Sequence, residues 1–119
     1  MTKQPKPRLV EIRAYKLKPG SLAAFHATVL ERAVPLLRDW GTEVVSFGPS
    51  EHEADCYYLV RAYDDLPDLQ RRQAEFYGSD TWRSGPREAV VGLIESYLNT
   101  VLWLSPASIE DLQRSNARP

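Results

Sequence analysis

The segment LVEIRAYKL, residues 9–17, alternates between two faces and contains β-branched residues, so it predicts a β-strand. Part of it recurs: Arg13-Ala14-Tyr15, with Pro19 four residues after the tyrosine, returns as Arg61-Ala62-Tyr63 with Pro67. The two copies are 48 residues apart, which matches the length of one β-α-β unit. The repeat therefore favours a fold made of two similar halves.

The rest of the chain supplies the elements that such a fold needs. A helical stripe of apolar residues follows the first strand, and Pro35 within it should kink the helix rather than end it. The predicted elements are strand 9–17, helix 22–40, strands 44–47 and 56–63, a helix ending near residue 77, helical pieces 81–84 and 87–93, and strand 97–104. This order predicts an α+β, ferredoxin-like β-α-β-β-α-β fold with a four-stranded antiparallel sheet.

We divide the chain into a disordered N-terminal arm (1–8), one domain (9–104) and a polar C-terminal tail (105–119). Fifteen Lys and Arg against sixteen Asp and Glu give a net charge of −1, which argues against a nucleic-acid partner. The longest apolar stretch, 89–104, is too short to span a bilayer, so we predict no membrane partner. One cysteine cannot form an internal disulfide, which favours the cytoplasm.

Alternation along the strands predicts one small apolar face and one face rich in charged and aromatic residues. We expect the helices to cover the face of Val10, Ile12 and Ala14, together with Tyr58, Val60 and Ala62 on the third strand. The opposite face would then expose Glu11, Arg13, Tyr15, Tyr57, Leu59, Arg61, Tyr63 and, on the last strand, Trp103. So many aromatic residues on one exposed face predict that a second protein surface covers that face. We therefore predict a homodimer that pairs through this sheet face.

Two interpretations of the Arg-x-Tyr pairs stay open at this point. In the first, Arg13 or Arg61 anchors a carboxylate or carbonyl of a small ligand, and Tyr15 and Tyr63 donate hydrogen bonds to it. In the second, Glu11 neutralises the arginines across a dimer core and fixes its register.

Other candidates for chemistry are few. His26 lies at the edge of the first helix's apolar stripe, and a histidine there could act as a general base. Glu11 is the second acid–base candidate, and Trp82 could cap a pocket. Glu51-His52-Glu53 does not have the spacing of a metal site, and no phosphate-binding glycine loop occurs, so we predict neither a metal nor another cofactor.

The stretches VEIRAYKLKPGSLAAF (10–25), Pro35-Leu36-Leu37 before Gly41, and YLVRAYDDLPDL followed by SDTW resemble the NIPSNAP family over residues 9–104. This resemblance implies a dimeric α+β barrel, in a superfamily that also holds cofactor-free monooxygenases, haem-degrading enzymes, cyclases and isomerases. The haem degraders use an Asn, a Trp and a helix His. Here Glu11 and Arg13 occupy the first strand instead of Asn, which argues against haem degradation.

The resemblance leaves the place of the cavity open. In several relatives it lies between sheet and helices, and His26, Phe47, Tyr58 and Trp82 would then be better pocket candidates than the arginines. We predict a protein that binds or transforms a small hydrophobic or aromatic molecule. If it is an enzyme, the resemblance implies a cofactor-free monooxygenase, isomerase or cyclase. The alternative is a non-catalytic dimerisation or ligand-binding module, in which Glu11, Arg13 and Arg61 pair and leave no substrate-sized cavity.

Overall fold

The computed structural model describes residues 5–117, so residues 1–4 of the predicted N-terminal arm lie outside the described residues. The strands are β1 (Arg8–Leu17), β2 (Glu43–Pro49), β3 (Cys56–Tyr63) and β4 (Ile94–Leu104). The helices are α1 (Leu22–Thr28), a π-helical turn (Val29–Ala33), α2 (Val34–Asp39), α3 (Leu66–Tyr77), α4 (Asp80–Arg83), α5 (Arg87–Val91) and α6 (Pro106–Ser115). The sheet order is β2-β3-β1-β4 with antiparallel neighbours throughout. The predicted ferredoxin-like α+β fold is confirmed.

The first helical segment passes Pro35 without a break. Proline has no N–H to give to the carbonyl of Glu31, and the chain takes a π-helical turn, Val29–Ala33, immediately before α2. The helix then ends at Asp39, and Gly41 adopts a positive φ of 82° two residues later. The π turn presents Val29 and Ala33 to the core, where both are buried.

The prediction of which sheet face the helices cover is wrong. Tyr15, Tyr57 and Leu59 form one cluster with Phe25, Val29, Leu37, Phe76 and Trp82 of the helical layer. The helices therefore cover the face that carries Glu11, Arg13, Tyr15, Arg61 and Tyr63. The physical reason is that this face holds the larger aromatic area, and its two most deeply buried charges, on Glu11 and Arg61, neutralise each other within one chain.

The other sheet face carries the small apolar residues and is covered in part by α6. Ile109 of α6 is buried against Val10, Val45, Val60 and Ala62, and Leu112 packs beside it. The side chain of Ser105 accepts a hydrogen bond from the Ser108 N–H and so caps the helix. Most of the segment that we predicted as a polar tail, 105–119, is therefore a ten-residue helix with one apolar side on the sheet.

Strand β4 forms one edge of the sheet and begins at Ile94, three residues earlier than predicted. It pairs with the whole of β1, and a register shift separates the pairs Lys16–Ser96 and Leu17–Ile94. Its large apolar side chains stay exposed on both faces: Leu98 is 79% exposed, and Tyr97, Val101 and Trp103 are between 42% and 54% exposed. Edge strands of this length and character are uncommon without a cover.

The start of α1 is held by a side chain from the β2–β3 loop. Asp55, which has a positive φ of 57°, accepts hydrogen bonds from the backbone N–H groups of Gly20 (3.0 Å) and Leu22 (3.2 Å). Ser21, the residue directly before α1, donates its hydroxyl to the Lys18 carbonyl and does not cap the helix with its side chain. Asp55 therefore satisfies two N–H groups at the helix start from a distant part of the chain.

Replacing Asp55 with alanine should lower the free energy of unfolding by about 1–2 kcal/mol, because the cap is lost and alanine is strained at positive φ. Urea denaturation of Asp55→Ala and Asp55→Asn measures this effect. Asparagine tolerates the left-handed backbone and keeps one acceptor oxygen, so its loss should be less than half as large. Equal losses for the two variants, or none for alanine, would refute the capping role.

Candidate functional site

A cavity of about 920 Å³ lies between the helix-covered face of the sheet and the helices. Its apolar wall comes from the π turn, α2, α3 and α5, and includes Val29, Ala33, Val34, Leu37, Phe76 and Val90. Its polar lining residues are Arg13, Tyr15, Tyr57, Gln73, Tyr77, Arg83, Arg87, Glu95, Ser96 and Tyr97. Arg83, Arg87 and Glu95 are exposed, so they mark the side on which the cavity reaches solvent.

The deepest polar group beside the cavity is the pair formed by Glu11 and Arg61, which are 2% and 0% exposed. The two residues face each other on β1 and β3, and the Arg61 guanidinium donates to Glu11 Oε1 through Nε at 3.1 Å and also through Nη2. Arg61 Nη1 donates to the Tyr77 hydroxyl at 2.8 Å. Burial alone would lower the pKa of Arg61, but Tyr77, Tyr63 and Glu11 raise it, so this guanidinium is charged.

Gln73 of α3 completes the contacts of Glu11. Its Nε2 donates to Glu11 Oε2 at 2.9 Å and to the Tyr63 hydroxyl at 3.2 Å. Burial alone would raise the pKa of Glu11, but Arg61, Gln73 and Arg13 outweigh burial and hold the pKa below its usual range. Glu11 is therefore a carboxylate at neutral pH, and it is a poor general base because both of its oxygens accept hydrogen bonds.

Arg13 occupies the cavity wall one step further along β1. Its Nε donates to Asn99 Oδ1 at 2.8 Å, and its Nη2 lies 3.7 Å from Glu11 Oε2. Its guanidinium carbon lies 4.6 Å from the centre of the Tyr97 ring, which is the geometry of a cation–π contact. One carboxylate, that of Glu11, thus lies between two guanidinium groups.

Tyr15 and Tyr77 add hydroxyl groups to the same wall. Burial and the neighbouring Tyr77 raise the pKa of Tyr15 to about 12, although Arg13 and Arg61 act in the opposite direction. Tyr15 is therefore a neutral phenol at ordinary pH and can donate a hydrogen bond. Tyr77 accepts from Arg61, which orients its own O–H as a donor.

His26 lies behind the cavity rather than on its wall. Its Nδ1 is 2.6 Å from the Tyr57 hydroxyl, and the Tyr57 side chain lines the cavity. In the tautomer with an unprotonated Nδ1, Tyr57 donates this hydrogen bond. The histidine therefore contacts the cavity through one intervening tyrosine.

The structure brings most of the sequence candidates together, with four exceptions. Arg13, Tyr15 and Trp82 line the cavity, and Glu11, Arg61 and Tyr63 form the hydrogen-bonded group beside it. Tyr58 lies on the other sheet face, where its hydroxyl is 3.0 Å from Ser46 Oγ. The lining also lacks His26, Trp103, which is exposed near the end of β4, and Phe47, which packs against the core cluster.

The structure combines features of the two interpretations of the Arg-x-Tyr pairs: the charged side chains pair with each other, and a cavity stays open beside them. Glu11 pairs with Arg61 and lies close to Arg13 within one chain, not across a dimer core. A cavity large enough for a drug-sized molecule nevertheless remains beside them.

Sequence reasoning missed Gln73 and Tyr77. A signal for them exists: they follow Leu69 by four and eight residues on α3, so they fall on the helix face that packs against the sheet. A polar residue at such a position needs a buried partner, and here the partners are Glu11 and Arg61. The mouth residues Arg83 and Arg87 lie on short helices whose orientation no periodicity predicts.

Within residues 5–117, no three side chains of the His, Cys, Asp or Glu type are grouped closely enough to hold a metal ion. No helix in that part of the chain has the length and apolar character that crossing a membrane requires.

Comparison with known proteins places the fold among solved structures. The NIPSNAP family model matches residues 10–109. A NIPSNAP family protein of unknown function from Agrobacterium tumefaciens is 24% identical with a TM-score of 0.74, over 82% of this chain and 88% of that one. A second NIPSNAP family protein from that bacterium is 19% identical with a TM-score of 0.77, over 92% and 96% of the two chains.

A more distant structural neighbour is named as an enzyme. A candidate antibiotic biosynthesis monooxygenase from Bordetella bronchiseptica is 20% identical with a TM-score of 0.61, over 84% of this chain and 97% of that one. At this identity the likeness concerns the fold alone. No curated protein matches the sequence.

Proposed function

Since the chain belongs to the NIPSNAP family, which its family model matches over residues 10–109, we propose that it binds or transforms a small hydrophobic or aromatic molecule, without a tightly bound cofactor, in the cavity between sheet and helices. The observation that carries the proposal is the cavity itself. It combines a volume of about 920 Å³, a mostly apolar wall and a few convergent polar groups, which are the features of small-molecule sites.

The polar wall supports a reaction of the isomerase or cyclase type. A substrate carbonyl held at the wall would accept hydrogen bonds from Tyr77 or Arg13, which stabilises negative charge as it develops on that oxygen. Tyr57 and His26 offer a route for a proton between the cavity and the outer side of α1. A cofactor-free oxygenation is the second enzymatic candidate, because the candidate monooxygenase shares this fold. The alternative is a non-catalytic module that binds its ligand unchanged or serves only to dimerise.

Binding can be tested with N-phenyl-1-naphthylamine, an uncharged dye whose fluorescence rises in apolar surroundings. We expect saturable binding of one dye per chain in the micromolar range. Ala33→Phe should weaken it at least tenfold because the new ring fills the cavity at the π turn. The matched control is Ala23→Phe, at an exposed position of α1. Thermal melting confirms that both variants fold. Unchanged binding in Ala33→Phe would contradict the cavity as the site.

Homodimerisation is part of the proposal, but through a different face from the one predicted. The apolar side chains left exposed lie along β4, and Leu98 is directly opposite Ala14 on the face that α6 leaves partly open. A second copy packed sheet to sheet on that face would cover Leu98 and complete a barrel, which is the arrangement that the family resemblance implies. A cytoplasmic location also belongs to the proposal, supported by the single cysteine.

A further inference from the structure

The polar wall of the cavity has more positive than negative charge. Glu11 is one carboxylate against the two guanidinium groups of Arg61 and Arg13. The shorter contact belongs to Arg61, whose Nε and Nη2 both donate to Glu11 Oε1, whereas Arg13 approaches Oε2 only to 3.7 Å. Arg61 is therefore the neutralised arginine, and Arg13 is the one that leaves a positive charge at the wall.

Arg13 is largely withdrawn from water and is held in a fixed position. Its side chain is 12% exposed, its Nε donates to Asn99, and its guanidinium lies over the Tyr97 ring. Burial lowers the pKa of Arg13, but Tyr77, Tyr15 and Glu11 raise it, and the net direction is upward. A charge in such surroundings, without full compensation, favours the arrival of an anion.

The mouth of the cavity also has an excess of positive charge. Arg83 and Arg87 line it, and Glu95 is the one acidic residue among the lining residues of the described chain. Glu88 lies outside the lining and pairs with Arg87 at 2.6 Å, which offsets part of the charge of Arg87 but not that of Arg83 or Arg13. The lining therefore has three arginines against one carboxylate in a chain whose total charge is −1. Such a concentration of one sign attracts ligands of the opposite sign.

We propose that the cavity selects an organic carboxylate, with its apolar body against Val29, Val34 and Leu37 and its carboxylate on Arg13. The inference rests on the proposed function, because it names the class of ligand for the same cavity. The Tyr77 hydroxyl, oriented by Arg61, supplies a second donor beside Arg13, and the apolar wall opposite rejects ligands that are charged throughout.

The test compares two molecules of nearly equal shape, 2-naphthoate and 2-naphthamide, as displacers of N-phenyl-1-naphthylamine. We expect naphthoate to displace the dye at least tenfold better than naphthamide from the unaltered protein. Arg13→Gln should reduce this preference to about onefold, and Arg13→Lys should keep part of it, with each displacement referred to that variant's own affinity for the dye. Arg32→Gln, at an exposed arginine outside the lining, serves as the control.

The other outcomes distinguish a failure of this inference from a failure of the proposed function. Equal displacement by the two molecules, or a naphthoate preference that survives Arg13→Gln, overturns the inference and leaves the proposed function standing. Absence of saturable dye binding by the unaltered protein overturns the proposed function itself. If Arg13→Gln does not fold, the double variant Arg83→Gln/Arg87→Gln replaces it. It should lower the preference two- to threefold, and an unchanged preference would count against the inference.

Discussion

Arg61→Met should lower the free energy of unfolding by about 3–5 kcal/mol, because it leaves the buried carboxylate of Glu11 without its closest partner. Gln73 and the more distant Arg13 remain, but neither replaces the two hydrogen bonds that Arg61 gives to Glu11 Oε1. The Tyr77 hydroxyl loses its donor as well. Urea denaturation followed by circular dichroism measures the loss.

Two further variants show whether the loss comes from the buried charge. Arg71→Met is the matched control, since Arg71 is 59% exposed and its buried partner Asp68 keeps the contact with Arg72 at 2.9 Å, so we expect a change below about 0.5 kcal/mol. The double variant Glu11→Leu/Arg61→Met should recover much of the stability, because both partners of the pair are then apolar. A loss below about 1 kcal/mol in Arg61→Met would contradict the role given to the pair.

Leu98→Arg should convert the proposed dimer into a monomer, with a dimer dissociation constant raised at least 100-fold. Leu98 is 79% exposed in one chain, and the proposed sheet-to-sheet interface would bury it. An arginine there would lose its hydration without gaining a partner. Sedimentation equilibrium at micromolar concentration distinguishes a mass of 13.5 kDa from twice that value.

The control for this experiment is Leu30→Arg, in the π turn, where the leucine is 49% exposed on the helical side of the molecule. It makes the same chemical change on a surface that the proposed dimer leaves in water. We expect Leu30→Arg to sediment as the unaltered protein does. If the unaltered protein is a monomer at micromolar concentration, the dimer proposal is wrong.

The repeat in the sequence predicted the topology of the sheet, but it did not predict which sheet face the helices cover. Arg13-Ala14-Tyr15 and Arg61-Ala62-Tyr63 lie on adjacent antiparallel strands, as a two-fold arrangement of β-α-β halves requires. Alternation divides Glu11 and Arg61 from Val10 and Ala62, but it does not say which set meets the helices. That choice follows from the larger aromatic area of one face and from the pairing of its buried charges, to which Gln73 of a distant helix contributes, and spacing within the strands does not reveal this.

The candidate site was predictable in its strand residues and not in its helical ones. Arg13 and Tyr15 are identifiable because polar side chains on a central strand need partners. Tyr77 and the mouth arginines depend on how α3, α4 and α5 fold over the sheet. Those helices are interrupted at Gly78 and at Gly85-Pro86, so no single period relates them.

The most direct test of the central claim is a methyl NMR titration of the protein with 2-naphthamide, which has no net charge. It decides between a site in the helix-side cavity and one on the open sheet face. We predict shifts concentrated at Val29, Val34, Leu37 and Val90, with the methyl groups of Leu98 and Leu102 unchanged. Shifts confined to Leu98 and Leu102, with the cavity methyl groups unmoved, would contradict the account.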